Sequence, residues 1–186
     1  MNTRDTIIQA ADHFIREKGF NAFSFNDIAK AVGIKTASIH YHFPTKTDLG
    51  VATVKEHIER LEALKTALED QPPMAKLMGF LSIYTSAKSE EKICIVGSLA
   101  TDLHTVEEGI QKELKGLAEK ILDWVTAILQ EGKSKNVFDF SVPPRTKALM
   151  IITNMLAIVQ LSRLTGAEDF TLVKNTIIQE LKPKTE

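Results

Sequence analysis

The part of the chain best suited to binding chemistry runs from residue 30 to residue 46 and contains no carboxylate. The whole chain has a net charge of −1, so this basic character is local. A surface that carries cations and no acids suits contacts with phosphate groups, although a solvated helix face can have the same composition. The side chains of this run that are cationic or titrate near neutral pH are Lys30, Lys35, Lys46, His40 and His42.

Metal binding is poorly supported by the spacing of these and other ligand-type residues. His40 and His42 are two residues apart on a predicted helix, so their side chains diverge and cannot chelate one ion together. A cluster formed by Asp102, His104 and the pair at 107–108 is better explained by solvated residues at a helix start, where Glu107 and Glu108 interact favourably with the helix dipole. We therefore predict no metal site and no cofactor.

Catalysis is equally unsupported. The chain has no glycine-rich phosphate loop, no G-x-S-x-G turn and no H-E-x-x-H helix, so we predict no catalytic residues. The single cysteine, Cys94, excludes an internal disulfide and is interpreted as a buried structural residue.

Composition predicts a soluble, cytoplasmic protein. The 186 residues are 44% hydrophobic and 25% charged, and the first residues do not resemble a signal peptide. The longest apolar stretch, 148–161, is interrupted by Thr153, Asn154 and Gln160, and we expect it to be too short and too polar to span a bilayer.

Helical periodicity and helix-end signals divide the first 45 residues into three helices. Thr3 is a candidate cap for the first helix, and Gly19 a candidate end. Ser24 and Asp27 have the spacing of a capping box for a short second helix that stops at Gly33. A third short helix, from residue 35 or 36 to residue 43, ends before a proline. This arrangement predicts a helix-turn-helix.

The remaining chain is also predicted to be helical, which makes the fold all-α. Thr45 and Asp48 repeat the capping pattern and start an apolar stripe of about 20 residues, or ~30 Å of helix. This helix is longer than the N-terminal head, so we expect it to continue into the C-terminal body. Further apolar stripes follow a break at Pro72 and Pro73, and no strand pattern is found.

In a helix-turn-helix, the N-terminal part of the second helix enters the major groove of DNA and must be small and polar. Thr36, Ala37 and Ser38 meet this requirement, while Ile39 and Phe43 supply the buried side. A generic helical hairpin with solvated lysines and histidines is the alternative.

The same residues resemble a known family. The pattern Gly19-Phe-x-x-Phe-Ser-x-x-Asp-Ile-Ala-x-x-x-Gly-Ile34, followed by Ala37-Ser-Ile-His-Tyr-His-Phe-Pro-x-Lys-x-x-Leu49, is similar to the head of TetR-type regulators. The resemblance implies a three-helix DNA-binding domain at 1–47 and a ligand-binding and dimerisation domain of about six helices at 48–186. It also implies a homodimer that binds a near-palindromic double-stranded DNA operator, usually represses transcription and is released by a small-molecule effector.

The resemblance also implies particular DNA contacts. Thr36 and Ser38 would lie near base edges, and Ser24 would cap a helix whose start faces a phosphate. Two positions depart from the family pattern. Lys35 stands where a Ser or Thr cap is common, so either Thr36 takes over the cap or Lys35 contacts a phosphate. His40 stands where Tyr is common. The expected DNA-binding residues are Ser24, Lys35, Thr36, Ser38, His40, Tyr41, His42 and Lys46.

An effector would bind an apolar cavity in the body, between helices, with a few polar groups. Polar, aromatic or adaptable residues within apolar segments are the candidates, although each could equally be an ordinary core residue. They are Tyr84, Cys94, Ser98, Asp102, Trp124, Met150 and Asn154.

The last two predicted helices are more apolar than the surface of a monomer requires, which predicts that they pair with a second copy in a four-helix bundle. Alternatives are an effector-independent or architectural DNA-binding protein, and a helical interaction module. The expected interface residues are Ile151, Met155, Ile158, Val173, Ile177, Ile178 and Leu181.

Overall fold

A computed structural model of the chain describes residues 2–183 and contains no β-strand among them. The predicted all-α fold, with three helices in the head and six after it, is confirmed for these residues. A single 3-10 turn, Phe20–Ala22, follows the first helix. The α-helices are α1 (Thr3–Lys18), α2 (Phe25–Val32), α3 (Thr36–His42), α4 (Lys46–Ala67), α5 (Pro73–Ser89), α6 (Ile95–Thr101), α7 (Glu108–Ser134), α8 (Pro144–Thr165) and α9 (Ala167–Glu180).

The helix ends in the head follow local rules. The predicted glycine ends are confirmed, with positive φ at Gly19 (91°) and Gly33 (76°), a backbone conformation that glycine adopts without steric cost. Asn2 rather than Thr3 caps α1, because its side chain lies one residue ahead of the helix and accepts a hydrogen bond from the Asp5 N–H at 2.9 Å.

Both predicted capping boxes are present. At the start of α2, the Asp27 carboxylate accepts from the Ser24 backbone N–H at 2.8 Å, and the Ser24 hydroxyl accepts from the Asp27 N–H. At the start of α4, Asp48 accepts from the Thr45 N–H at 2.9 Å, and Thr45 accepts from the Asp48 N–H at 3.1 Å. These caps fix the residues at which the helix-turn-helix and α4 begin.

The chain divides into two compact units. The first contains Met1–Arg60 and Cys94–Ala118, and the second contains Leu61–Ile93 and Glu119–Glu186. In the first unit α6 packs on α1, where the Ser98 hydroxyl donates to the Ile15 carbonyl at 2.5 Å. The Asp102 carboxylate accepts from the Phe20 N–H at 2.8 Å. Residues far along the chain therefore help to hold the head together.

In the second unit α8 packs against α9 and α5. Its core includes Phe80, Tyr84 and Met155, all of which are almost fully buried. By length and composition Pro144–Thr165 could cross a membrane, with a mean hydropathy of 1.5, but the core helices of soluble proteins have the same length and composition. We interpret α8 as a core helix because it packs against both α5 and α9.

A buried ionic cluster joins α1 to α4 in the first unit. Asp12 is only 8% exposed, and its carboxylate lies 3.2 Å from the Arg16 guanidinium and 2.6 Å from Nε2 of His57. Burial alone would raise the pKa of Asp12, but the hydrogen bonds and charges of His57 and Arg16 outweigh it and lower that pKa. The carboxylate is therefore held ionised inside the head.

Candidate nucleic-acid interface

The two helices of the helix-turn-helix pack through an apolar side and leave a polar side exposed. Ile28 and Ile39 are fully buried, and Phe43 is nearly so. Thr36 and Ser38 are half-buried on α3, and Tyr41 is 84% exposed. The short polar residues of α3 thus remain accessible, as contact with base edges requires.

The start of α3 shows which residue takes the cap position, while the phosphate contact of Lys35 stays a prediction. Lys35 occupies the cap position and makes no side-chain capping hydrogen bond, so its exposed side chain remains available for a phosphate. Thr36 does not take over the cap. Its hydroxyl donates to Oδ1 of Asn26 on α2 at 2.9 Å.

The aromatic end of α3 is partly anchored. The His40 ring lies edge-on to Phe25, with centroids 4.9 Å apart, and its Nδ1 is 3.3 Å from the Pro44 carbonyl oxygen. Tyr41 and His42 contact each other edge-on at 5.1 Å. His40 and Tyr41 are exposed and His42 is half-buried, so the first two present polar atoms on the surface of the head.

Lys46 has a structural role that the sequence did not predict. Its ammonium donates to the carbonyls of Phe20 and Phe23, at 2.5 Å each, and lies 4.6 and 4.2 Å from the centres of their rings. Burial lowers the pKa of this ammonium, while the charges of Asp102 and Asp27 oppose that effect. Lys46 therefore ties the start of α4 to the turn after α1, and a phosphate contact through its third N–H stays a prediction.

We expect Lys46→Met to destabilise the head. The methionine keeps most of the apolar stem but removes two charge-assisted hydrogen bonds, at a cost of about 1–2 kcal/mol. Thermal melts should show a lower Tm than for Lys55→Met, the matched change at an exposed lysine on the same helix. An unchanged Tm together with a smaller salt dependence of DNA binding would instead mark Lys46 as a phosphate contact.

The expected effector-contacting residues are divided between the two units. Cys94, Ser98 and Asp102 belong to the first unit, and the polar atoms of Ser98 and Asp102 bind the backbone of the head. Cys94 is buried, and burial raises the pKa of its thiol, which makes it a poor nucleophile. The polar atoms of Ser98 and Asp102 thus have structural roles in the first unit.

In the second unit Tyr84 is buried and lies edge-on to Phe80, which in turn contacts Trp124. Trp124 lines an open cavity of about 300 Å³ in this unit. Met150 and Asn154 are exposed on α8 and do not line it. The remaining lining residues are Glu62, Lys65, Thr66, Glu69, Lys76, Ala127, Ile128 and Glu131.

Most of the expected interface residues lie inside the single chain. Ile158 is only 6% exposed, which corrects the expectation that it faces outward. The reason is that α8 uses two of its sides to pack on α5 and α9. Ile151, Met155, Ile177 and Leu181 are buried in the same way, and Val173 and Ile178 are half-buried. The exposed apolar side chains of α8 and α9 are Leu149, Met150, Leu161, Leu164 and Leu172.

Two interactions between side chains of the head were not predicted from the sequence. The Asp12–Arg16 spacing of four residues was a detectable signal for an ion pair, but its partner His57 is 45 residues away. The contact from Asn26 to Thr36 crosses the turn between two helices and has no short-range signature. Within residues 2–183, no group of three His, Cys, Asp or Glu side chains could hold a metal ion.

A helix-turn-helix with an exposed, acid-free second helix on an all-helical chain defines a DNA-binding transcriptional regulator. The sequence model of the bacterial regulatory proteins of the tetR family matches residues 7–53. The fold is similar to the crystal structure of a TetR transcriptional regulator from Legionella pneumophila, with 36% identity, 98% of each chain covered and a TM-score of 0.86. The chain therefore belongs to the TetR family, which is a class of regulators and not of enzymes.

Two curated relatives match over shorter lengths. A helix-turn-helix regulator encoded in the lacX 3' region of Lactococcus lactis is 29% identical over 62% of each chain. The biofilm operon negative regulator IcaR of Staphylococcus aureus is 42% identical over 28% of each chain. The match thus spans less than two thirds of either relative, and for IcaR its 52 residues are about the length of a DNA-binding head.

Proposed function

We propose that this regulator is a cytoplasmic repressor that binds a near-palindromic operator as a homodimer and is released by a small-molecule effector. The observation that carries the proposal is the helix-turn-helix, whose α3 presents short polar residues within a stretch free of acids. Repression is supported by the likeness of the head to a negative regulator. The DNA-binding domain ends at residue 47, and residues 48–186 form the ligand-binding and dimerisation domain.

The DNA contacts divide into two kinds. Thr36 and Ser38 contact base edges, because they are short and lie at the start of α3. Contacts to phosphates fix the register and come from the residues around them. These are Ser24, Lys35, His40, Tyr41, His42 and Lys46.

The proposal is tested by isolating genomic fragments that the purified protein retains and measuring their affinity at several salt concentrations. For Lys35→Ala we expect weaker binding to operator and random DNA alike. The slope of log K against log salt should become shallower by about 0.9 for each phosphate that the variant no longer neutralises. Lys115→Ala, an exposed lysine on α7, is the control and should keep the wild-type slope. Retention of no fragment above background would contradict DNA recognition itself.

The dimer is supported by the apolar side chains that α8 and α9 leave on the surface. Leu161, Leu164 and Leu172 are 51%, 87% and 64% exposed. Contiguous exposed apolar residues are typical of protein interfaces, and two-fold symmetry places two heads on one palindrome.

The candidate effector site is the cavity beside Trp124, which has five charged residues in its lining and is more polar than expected. Its volume of about 300 Å³ is at the lower end of small-molecule sites. Trp124 is the only tryptophan of the chain, so an effector bound there should change the intrinsic fluorescence at the concentration that releases DNA. An effector that releases DNA without affecting the fluorescence would place the site elsewhere.

A further inference from the structure

The hydrogen bond between Thr36 and Asn26 constrains how Thr36 can recognise DNA. A threonine hydroxyl has one hydrogen to donate and two lone pairs that accept. Its hydrogen points to Oδ1 of Asn26 at 2.9 Å, so the donor capacity of Thr36 is already used within the protein. What remains for a base is the acceptor capacity.

The bond also fixes the position of the hydroxyl. Asn26 lies in the first turn of α2, and Thr36 is the first residue of α3. Thr36 is β-branched and half-buried, which restricts its rotation about χ1. The hydroxyl is therefore held in place before DNA binds, so less conformational entropy is lost on binding.

The surroundings of the pair suit an approaching DNA strand. Asn26 and Thr36 line a shallow, open concavity of about 570 Å³ over the turn between α2 and α3. The charged side chains that line it are those of Lys30 and Lys35, and no carboxylate does so. The same turn contains Gly33, where no atom lies within 4 Å of an added Cβ, so this surface is open.

We propose that Asn26 is a positioning residue that commits the Thr36 hydroxyl to accepting a hydrogen bond from a base. In the major groove only adenine N6 and cytosine N4 donate, whereas guanine and thymine offer acceptors. Every base pair has one such donor, on its adenine or its cytosine, so Thr36 contacts that amino group rather than the acceptors of the pair. This inference rests on the proposed DNA-binding function and adds to it the kind of base atom that Thr36 contacts.

The test begins with selection of bound sequences from a random DNA pool by the wild-type protein and by Thr36→Val. Valine has the same shape without the hydroxyl, so the position whose preference is lost identifies the base that Thr36 contacts. The pair selected there by the wild-type protein presents one amino group in the major groove, on its adenine or its cytosine. Thr101→Val, at an exposed threonine of α6, is the matched control and should alter no position.

The hydrogen bond itself is tested with a base that lacks the amino group. Purine replaces adenine, or 2-pyrimidinone replaces cytosine, at the identified position. The wild-type protein should lose affinity about fivefold, in line with one neutral hydrogen bond, and Thr36→Val should lose none.

Two changes at Asn26 separate positioning from a general contribution to affinity. Asn26→Asp keeps an acceptor for the Thr36 hydroxyl, so the base preference should persist while repulsion from phosphates weakens all binding. Asn26→Ala releases the hydroxyl to donate as well as accept, so the fivefold loss of affinity on removal of the amino group should become smaller.

Several results would overturn the inference while leaving the DNA-binding function intact. They are a wild-type affinity that is unchanged when the amino group is removed, no position that depends on Thr36, or an Asn26→Ala variant with the full wild-type loss on removal of the amino group. Loss of the base preference in Asn26→Asp would show that the Asn26 amide donates to Thr36 in the wild-type protein, which would contradict the inference. Failure of the wild-type protein to select any sequence would refute the proposed function, and the inference with it.

Discussion

Asp12→Ala is expected to lower the free energy of unfolding by about 3–5 kcal/mol, because it removes one partner from a buried ionic cluster. Arg16 is only 8% exposed and would lose this carboxylate, and His57 would lose its hydrogen-bond partner at 2.6 Å. For a chain of this length the loss corresponds to a fall in Tm of about 10 °C, measured by thermal circular dichroism.

The control is Glu17→Ala on the same helix. Glu17 pairs with His13 four residues away, and both side chains are about half exposed. Exposed pairs of this kind contribute about 0–1 kcal/mol, so the Tm should stay close to that of the wild type. A Tm for Asp12→Ala as high as that of the control would contradict the role assigned to the cluster.

The same cluster gives a pH dependence with a defined sign. The pKa of Asp12 is lower in the folded protein than the usual value for aspartate, which is about 3.9. Its stabilising contribution is therefore complete above that value and is lost as the pH falls below it. The difference in unfolding free energy between the wild type and Asp12→Ala should accordingly shrink in acid.

Leu172→Asp is expected to separate the proposed dimer and to reduce operator affinity by on the order of 100-fold. Leu172 is 64% exposed in the single chain, so the charge is tolerated by the monomer but is unpaired and desolvated in an interface. Affinity falls because two linked heads bind one operator far more tightly than one head does. Sedimentation at micromolar concentration and gel shifts measure the two effects.

Two comparisons make this result specific. Ser82→Asp adds the same charge at an exposed position on α5 and should leave both sedimentation and affinity unchanged. Ile158→Asp places a charge at a residue that is 6% exposed, so it should unfold the second unit rather than only separate protomers. If Leu172→Asp sediments like the wild-type protein, the dimer interface does not include this face of α9.

The candidate site was predictable where the interactions are short in range. Ser24 and Thr45 each bond to an aspartate three residues later, and such caps follow from residue type and spacing alone. The positive φ at Gly33 follows for the same reason, because glycine is the residue that tolerates it at the end of a helix. The position of α3 and its exposed polar face follow from these signals.

Long-range partners were not predictable. Lys46, in a basic stretch, was expected to bind phosphate, yet its ammonium binds carbonyls 23 and 26 residues away. Ser98 and Asp102 were expected to line a ligand site, yet they bind backbone atoms 83 and 82 residues away. Nothing in the local pattern distinguishes a polar atom that faces a ligand from one that satisfies a distant backbone group.

The sequence by itself determined the helix ends, the helix-turn-helix and the family, because these depend on propensity, capping and spacing within a few residues. Only the tertiary structure decided which apolar faces of α8 are covered by the chain and which remain exposed. It likewise decided that Thr36 donates to Asn26. These outcomes depend on which helices pack together, and an apolar stripe specifies burial without specifying the partner that buries it.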